Sequence, residues 1–185
     1  MEYFQHLQAA ERYLGPGLYL VLAVLLAELL NLVAFRKLNG LGIVPREGGS
    51  LAGILFAPLL HDDLAHFAAN FLPLCVLAFL LGQLQPQSFW WIVAAIVAGS
   101  GLLVWLVARR ANHIGASGLI YGLFGYLALA GFLAGNVTYL AVSVLLLVLY
   151  SGMLWGVLPG KARTSWESHL AGLAVGLGLA WSRVF

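Results

Sequence analysis

Charged residues are the scarcest class in this 185-residue chain. They make up 9% of it, against about 25% in an average soluble domain. Hydrophobic residues make up 62%, and the mean hydropathy is +0.96. A water-soluble domain with so few polar groups could not cover its own surface, and a disordered chain is excluded on the same grounds. There is one cysteine, so an intrachain disulfide is impossible, and Cys75 reads as a small buried residue in an apolar run. The net charge of +2 is too weak to suggest a nucleic-acid partner. The first residues, MEYFQHLQAAERY, carry two Glu and one Arg. They lack the basic start and the small-residue cleavage site of a secretory signal peptide. What remains is a multi-span membrane protein, with the lipid bilayer as its solvent and one helical domain over residues 1–185.

Charge-free runs locate the crossings, since a helix needs about 20 apolar residues to span the hydrocarbon. The first is predicted over residues 14–35, interrupted only by Glu28. No Asp, Glu, Lys or Arg stands from Leu64 to Ala108. That run is long enough for two spans, 64–83 and 89–108, divided by the polar Gln83–Ser88. A second such run, Ala111 to Gly160, splits at the turn pair Gly135-Asn136 into spans 115–134 and 137–157. The last span is placed at 165–183. Six helices result, with one long connection, 36–63, which is rich in glycine and ends in the apolar stretch Leu51–Leu60. Pro73 falls inside the second span, where neighbours can satisfy the carbonyl it frees. Gly118, Gly122 and Gly125 lie along the fourth span, and Gly172 with Gly176 forms a small-x-x-x-small pair on the sixth. Such faces let two helices approach closely.

Polar groups inside a membrane are expensive, and each asks for a role. His66 and Asn70 are four residues apart and share a face near the start of the second span. Ser117 opens the fourth span, with Tyr121 one turn below it. His169 stands near the start of the sixth. Spans two, four and six run in the same direction, so these residues share one depth on one side of the membrane. A serine, a histidine and additional donors at one level are the parts of a serine hydrolase.

Three segments carry a family resemblance. They are His61-x4-His66-x3-Asn70, then Gly115-Ala116-Ser117-Gly118-Leu119-Ile120-Tyr121-Gly122, then His169-Leu170-Ala171-Gly172-Leu173-Ala174-Val175-Gly176. In this order, on spans two, four and six, the chain resembles the rhomboid intramembrane serine proteases. The resemblance implies a six-transmembrane-helix, all-α rhomboid-like bundle and a serine endopeptidase that needs no cofactor or metal. Ser117 would be the nucleophile and His169 its base. His66, Asn70 and the backbone N–H of Ser117 would form the oxyanion hole. Tyr121 would orient the imidazole, and Gly115 and Gly172 would support the site. Arg46, after Pro45, would brace the long loop, and the segment 158–167 would cap the site. The partners implied are transmembrane protein substrates, cut in or near their membrane segments. The implied place is a prokaryotic inner membrane, with the site facing away from the cytoplasm.

That orientation conflicts with the basic residues. Arg12 and Arg183 would lie on the cytoplasmic side, and Arg36, Lys37, Arg46, Arg109, Arg110, Lys161 and Arg163 on the other, whereas cytoplasmic loops ordinarily carry the excess. Glu28 is expected to bond a neighbouring helix, with Asn31 on its face. His113 is read as a loop residue without a role, the alternative being that it tunes the site, while His61, Asp62 and Asp63 either wet the mouth of the site or simply end an interfacial loop. Trp90, Trp91, Trp155 and Trp181 read as interface anchors. A zinc protease using His61, Asp62, His66 and His169 is disfavoured: H-E-x-x-H is missing, and Ser117 and Asn70 would stand idle. A transporter would show a repeat between its halves, and none is visible. The remaining alternative is a catalytically inactive rhomboid-like protein that binds membrane clients. Such relatives usually lack the Ser or the His, and both are present here.

Overall fold

The computed structural model describes residues 2–160 and 165–182, with residues 2–10 and 12–14 described as backbone only. Lys161, Arg163, Arg183, the Arg12 side chain and the middle of the expected cap lie outside the described residues. The remainder is helical, with no β-strand among the described residues. Helix α1 spans Glu2–Val33, so helix begins well before the apolar run that marks the first span. The long connection holds short 3-10 turns and a single helical turn, α2 (Gly53–Phe56). Then follow α3 (Leu64–Leu84), α4 (Phe89–Val107), α5 (Ser117–Leu133), α6 (Val137–Tyr150) and α7 (Trp166–Trp181). Helix α6 tightens into a 3-10 tail, Ser151–Val157.

Four segments are long and apolar enough to cross a membrane: Gly15–Val33, Leu64–Leu84, Phe89–Val107 and Val137–Val157. Their outer faces expose large apolar side chains, among them Leu26, Leu72, Val107 and Val148. Such a surface suits hydrocarbon and would not suit water. Helix α5 differs. At 17 residues it is about 25 Å long, and Leu119 to Ala128 are buried on every side. A helix that is apolar all round belongs inside a bundle. Helices α3, α4, α6 and α7 all pack on it.

The tightest packing is between α5 and α7. A Cβ on Gly172 would lie 2.0 Å from the Gly118 carbonyl oxygen, and one on Gly176 would lie 2.0 Å from that of Gly122. Here one backbone rests on the other, as the glycine pattern predicts. At the other end of α5, Gly135 takes φ 63°. The Asn136 side chain accepts the N–H groups of Thr138 and Tyr139 and so starts α6.

The long connection is tied down at several points. Arg46 adopts φ 63° and donates from Nη1 to the carbonyls of Leu106 (3.2 Å) and Ala108 (2.9 Å) at the end of α4. Trp105 Nε1 returns a bond to the Glu47 carbonyl at 3.0 Å. Ile43 and His113 exchange backbone bonds of 3.0 and 2.8 Å. Through these bonds the connection holds the segment that leads into α5.

The glycine crossing generates a test. Gly176→Ala should destabilise the protein by about 1–3 kcal/mol or more through overpacking, read as a lower thermal midpoint in detergent. Gly178→Ala, on the same helix with no atom within 4 Å of the added methyl, should leave the midpoint unchanged or raise it. Equal effects would mean that the crossing is not a tight contact.

Candidate active site

The residues singled out in the sequence converge on one cavity. It has a volume of about 460 Å³, and its lining includes His66, Asn70, Ser117, Tyr121 and His169. Asp62, Asp63 and Pro73 also line it. The cavity is therefore the meeting place of α3, α5 and α7.

Each helix delivers its residue for a local reason. Asp63 caps α3, its carboxylate accepting the His66 N–H at 2.7 Å. That bond holds the Asp63 carboxyl below its ordinary range. One turn on, Asn70 donates from Nδ2 to the His66 carbonyl at 2.9 Å, which fixes its amide and leaves its second N–H to donate elsewhere. Ser117 is the first residue of α5, so its backbone N–H belongs to the group without an intrahelical carbonyl. Gly115, two residues earlier, has φ 119°, a conformation that L residues rarely adopt. A Cβ there would also press on the His66 ring at 2.8 Å.

The histidine on α7 is held on two sides. Its ring stacks on Tyr121, with centroids 4.2 Å apart and planes 7° from parallel. Its Nδ1 lies 2.9 Å from the Gly156 carbonyl oxygen. A carbonyl can only accept, so Nδ1 carries the proton, and the neutral ring keeps a lone pair on Nε2. Tyr121 is itself anchored, its hydroxyl donating to the Met153 carbonyl at 2.7 Å. Both carbonyls come from the 3-10 tail of α6. Gly156 is glycine for a steric reason: a Cβ would sit 2.0 Å from the Tyr121 hydroxyl. Nothing in the sequence marked Met153 or Gly156, because their backbone groups do the holding.

Other expectations need correction. His113 is a buried residue with partners: Nε2 donates to the Arg109 carbonyl (2.9 Å), and Nδ1 accepts from the Ser165 hydroxyl (2.6 Å). Ser165 also bonds Ser168 at 2.6 Å. The start of α7 is thereby fastened to the segment before α5. Asp62 and Asp63 line the cavity, but His61 is fully buried and is not part of its wall. Among the described residues, no three of the His, Cys, Asp and Glu side chains stand close enough to hold a metal ion.

Taken together, the cavity presents a hydroxyl at a helix start and an imidazole with a fixed tautomer and a free lone pair. Amide, imidazole and backbone donors stand beside them. Such a set can take a proton from the hydroxyl and stabilise an oxyanion.

A family model described as "Rhomboid domain" matches residues 48–184. Two uncharacterized proteins, from Mycobacterium bovis and Mycobacterium tuberculosis, are each 34% identical over 165 residues, which is 84% of this chain and 69% of theirs. A third, from Mycobacterium leprae, is 33% identical over 165 residues, covering 84% and 65%.

The model match leaves out α1 and the first part of the long connection, where a second polar group is found. Glu28 does not bond a neighbouring helix. Its Oε1 pairs with Arg36 Nη1 at 2.8 Å, and its Oε2 lies 3.7 Å from His61 Nδ1. Asn31 donates to Asn39 Oδ1 at 2.7 Å. Arg36 and Asn39 both donate to the His61 carbonyl, at 2.9 and 3.2 Å. The partners thus come from the connection, which folds back onto α1.

Burial first, then the nearby His66 and Arg36, push the His61 imidazole down from 6.5 to about 4. The unfolded chain takes up a proton as pH falls through 6.5, and the folded protein takes it up only near 4. Between those values the unfolded state binds more protons, so stability falls as pH falls. The thermal midpoint in detergent should therefore drop less across this window in His61→Gln than in the native chain. Parallel drops would contradict the account of a buried neutral His61.

Proposed function

The chain belongs to the rhomboid family of membrane proteins, and we propose that it is an active intramembrane serine endopeptidase working through a Ser117–His169 dyad. The observation that carries this reading is the His169 tautomer. With Nδ1–H given to Gly156, Nε2 is the basic atom, on a side chain that shares one cavity with Ser117.

The reaction follows from these parts. His169 Nε2 removes the proton from Ser117 Oγ as Oγ attacks the scissile carbonyl carbon. The carbonyl oxygen becomes an oxyanion, received by the Ser117 N–H and by Asn70 and His66. The tetrahedral species collapses, the C–N bond breaks, and His169 gives its proton to the leaving amine. Water, deprotonated by the same Nε2, then attacks the acyl ester and releases Ser117. Tyr121 keeps the imidazole in plane throughout. Gly115 makes room for His66, and Gly172 brings α7 against α5.

The substrates are transmembrane segments of other proteins. An intact helix hides its carbonyls in i→i−4 bonds, so a substrate must unwind locally before attack. The fold is one six-span domain. Helices α5 and α7 are shorter than a bilayer-crossing helix, and α5 needs no more length because protein, not lipid, surrounds it. The cavity faces away from the cytoplasm of a prokaryotic inner membrane. Four of the seven basic residues that count against this orientation are occupied in the fold. Arg36 pairs with Glu28, Arg109 with Glu167 at 3.5 Å and Arg110 with Glu47, and Arg46 caps α4.

Purified protein in liposomes should cleave a generic transmembrane substrate and resist metal chelators. Ser117→Ala and His169→Ala should each lose at least about 10³-fold in rate. Asn70→Ala should lose about 10²–10³-fold, mostly in kcat, as one oxyanion donor does. Cleavage that survives Ser117→Ala would overturn the dyad. A folded native protein that binds such substrates without cutting them would favour the inactive client binder.

A further inference from the structure

The mechanism uses residues of α3, α5 and α7 and leaves the polar group on α1 unexplained. Glu28, Asn31 and His61 are all at most 1% exposed. A carboxylate at that depth in a membrane helix is costly to insert, and a neutral apolar side chain would pack there without it. The connection that supplies its partners leads directly to Asp63 and α3.

The group also reaches Ser117. The Ala116 N–H points to His61 Nε2, with a donor–acceptor distance of 3.4 Å. An N–H can only donate, so Nε2 is the unprotonated nitrogen and the His61 proton is on Nδ1. Nδ1 is the ring nitrogen nearest the Glu28 carboxylate, 3.7 Å from Oε2 and beyond hydrogen-bond distance, and the negative charge there favours this tautomer electrostatically. One residue earlier, the Gly115 N–H is bound by the Ala57 carbonyl at 2.9 Å. Two consecutive N–H groups before Ser117 are therefore held from behind. The next donor in line is the Ser117 N–H, at the cavity.

We propose that Glu28 and His61 are positioning residues for the nucleophile: Glu28 holds His61 with its proton on Nδ1, His61 Nε2 holds the Ala116 N–H, and the Ser117 backbone is fixed for oxyanion binding. The inference rests on Ser117 being the nucleophile. It assigns to α1 a part in catalysis rather than in packing alone. The path is a chain of contacts: Glu28 to His61, His61 to Ala116, and Ala116 to the peptide that carries Ser117. Neutral His61 is needed at each link, and its low proton affinity inside the fold keeps it so near neutral pH. The His61 ring also meets His66 edge-on, with centroids 5.1 Å apart, so the same residue backs a second oxyanion donor.

The test uses the whole protein in detergent, an alkyl fluorophosphonate as probe, and separate readings of the rate and final extent of labelling at Ser117. The extent counts folded sites, and the rate reports how well the site is set. His61→Phe keeps a ring against His66 and Phe67 but offers no acceptor. It should reach the native extent at a rate reduced about tenfold or more, since small misplacements carry penalties of that order. His61→Gln, with a carbonyl to receive the Ala116 N–H, should recover much of the rate. Glu28→Gln is nearly isosteric and carries the test if His61→Phe does not accumulate. It should also slow labelling, and the histidine ¹⁵N spectrum should show His61 losing its pure Nδ1–H form. Native rates in both His61→Phe and Glu28→Gln, a reduced extent at native rate, or an unchanged ¹⁵N spectrum in Glu28→Gln would overturn the proposal. If the native protein itself does not label, the nucleophile reading falls and takes this proposal with it, an outcome distinct from the others.

Discussion

The contact on which the rest of the molecule depends is the crossing of α5 and α7. No side chain separates the two backbones there. The carbonyls of Gly118 and Gly122 sit where the Cβ atoms of Gly172 and Gly176 would be. In a bilayer, helices gain little from burying apolar surface against each other, because lipid is as apolar as leucine; close backbone approach and van der Waals contact take over. That approach sets the distance between the helix bearing Ser117 and the helix bearing His169. It also allows Tyr121 to lie flat on the imidazole. A single added methyl at the crossing would push the helices apart and open the site.

A second constraint follows from the low dielectric. Buried polar groups must find partners inside the protein, and most of those around the cavity do. The 3-10 tail of α6 turns the carbonyls of Met153 and Gly156 toward Tyr121 and His169. The long connection brings Arg36 against Glu28 and fixes the segment before α5. His113 fastens the start of α7. Each bond removes a way for the site to deform, as the proposed oxyanion chemistry requires.

The sequence made some of this plain and left the rest hidden. Charge-free runs and the turn at Gly135-Asn136 located the long helices, because hydrocarbon tolerates few alternatives. His66, Asn70, Ser117, Tyr121 and His169 stood out because polar residues are rare among apolar ones, and all five line one cavity. Met153 and Gly156 were invisible, since a backbone carbonyl leaves no trace in residue identity. The partners of Glu28 are not legible, because a long connection folding back on α1 leaves no periodic signal. The contacts of His113 are hidden for the same reason. Its partner Ser165 is 52 positions away, and only the fold brings them together.

In the proposed mechanism, Ser117, His169 and the donors of α3 form one prepared site. The most direct test is the structure of the protein after reaction with a fluorophosphonate. The account predicts a bond from Ser117 Oγ to phosphorus, with the phosphoryl oxygen held by Asn70, His66 and the Ser117 N–H. His169 Nδ1 should remain on the Gly156 carbonyl. An unmodified Ser117, or an adduct whose phosphoryl oxygen turns away from those donors, would contradict it.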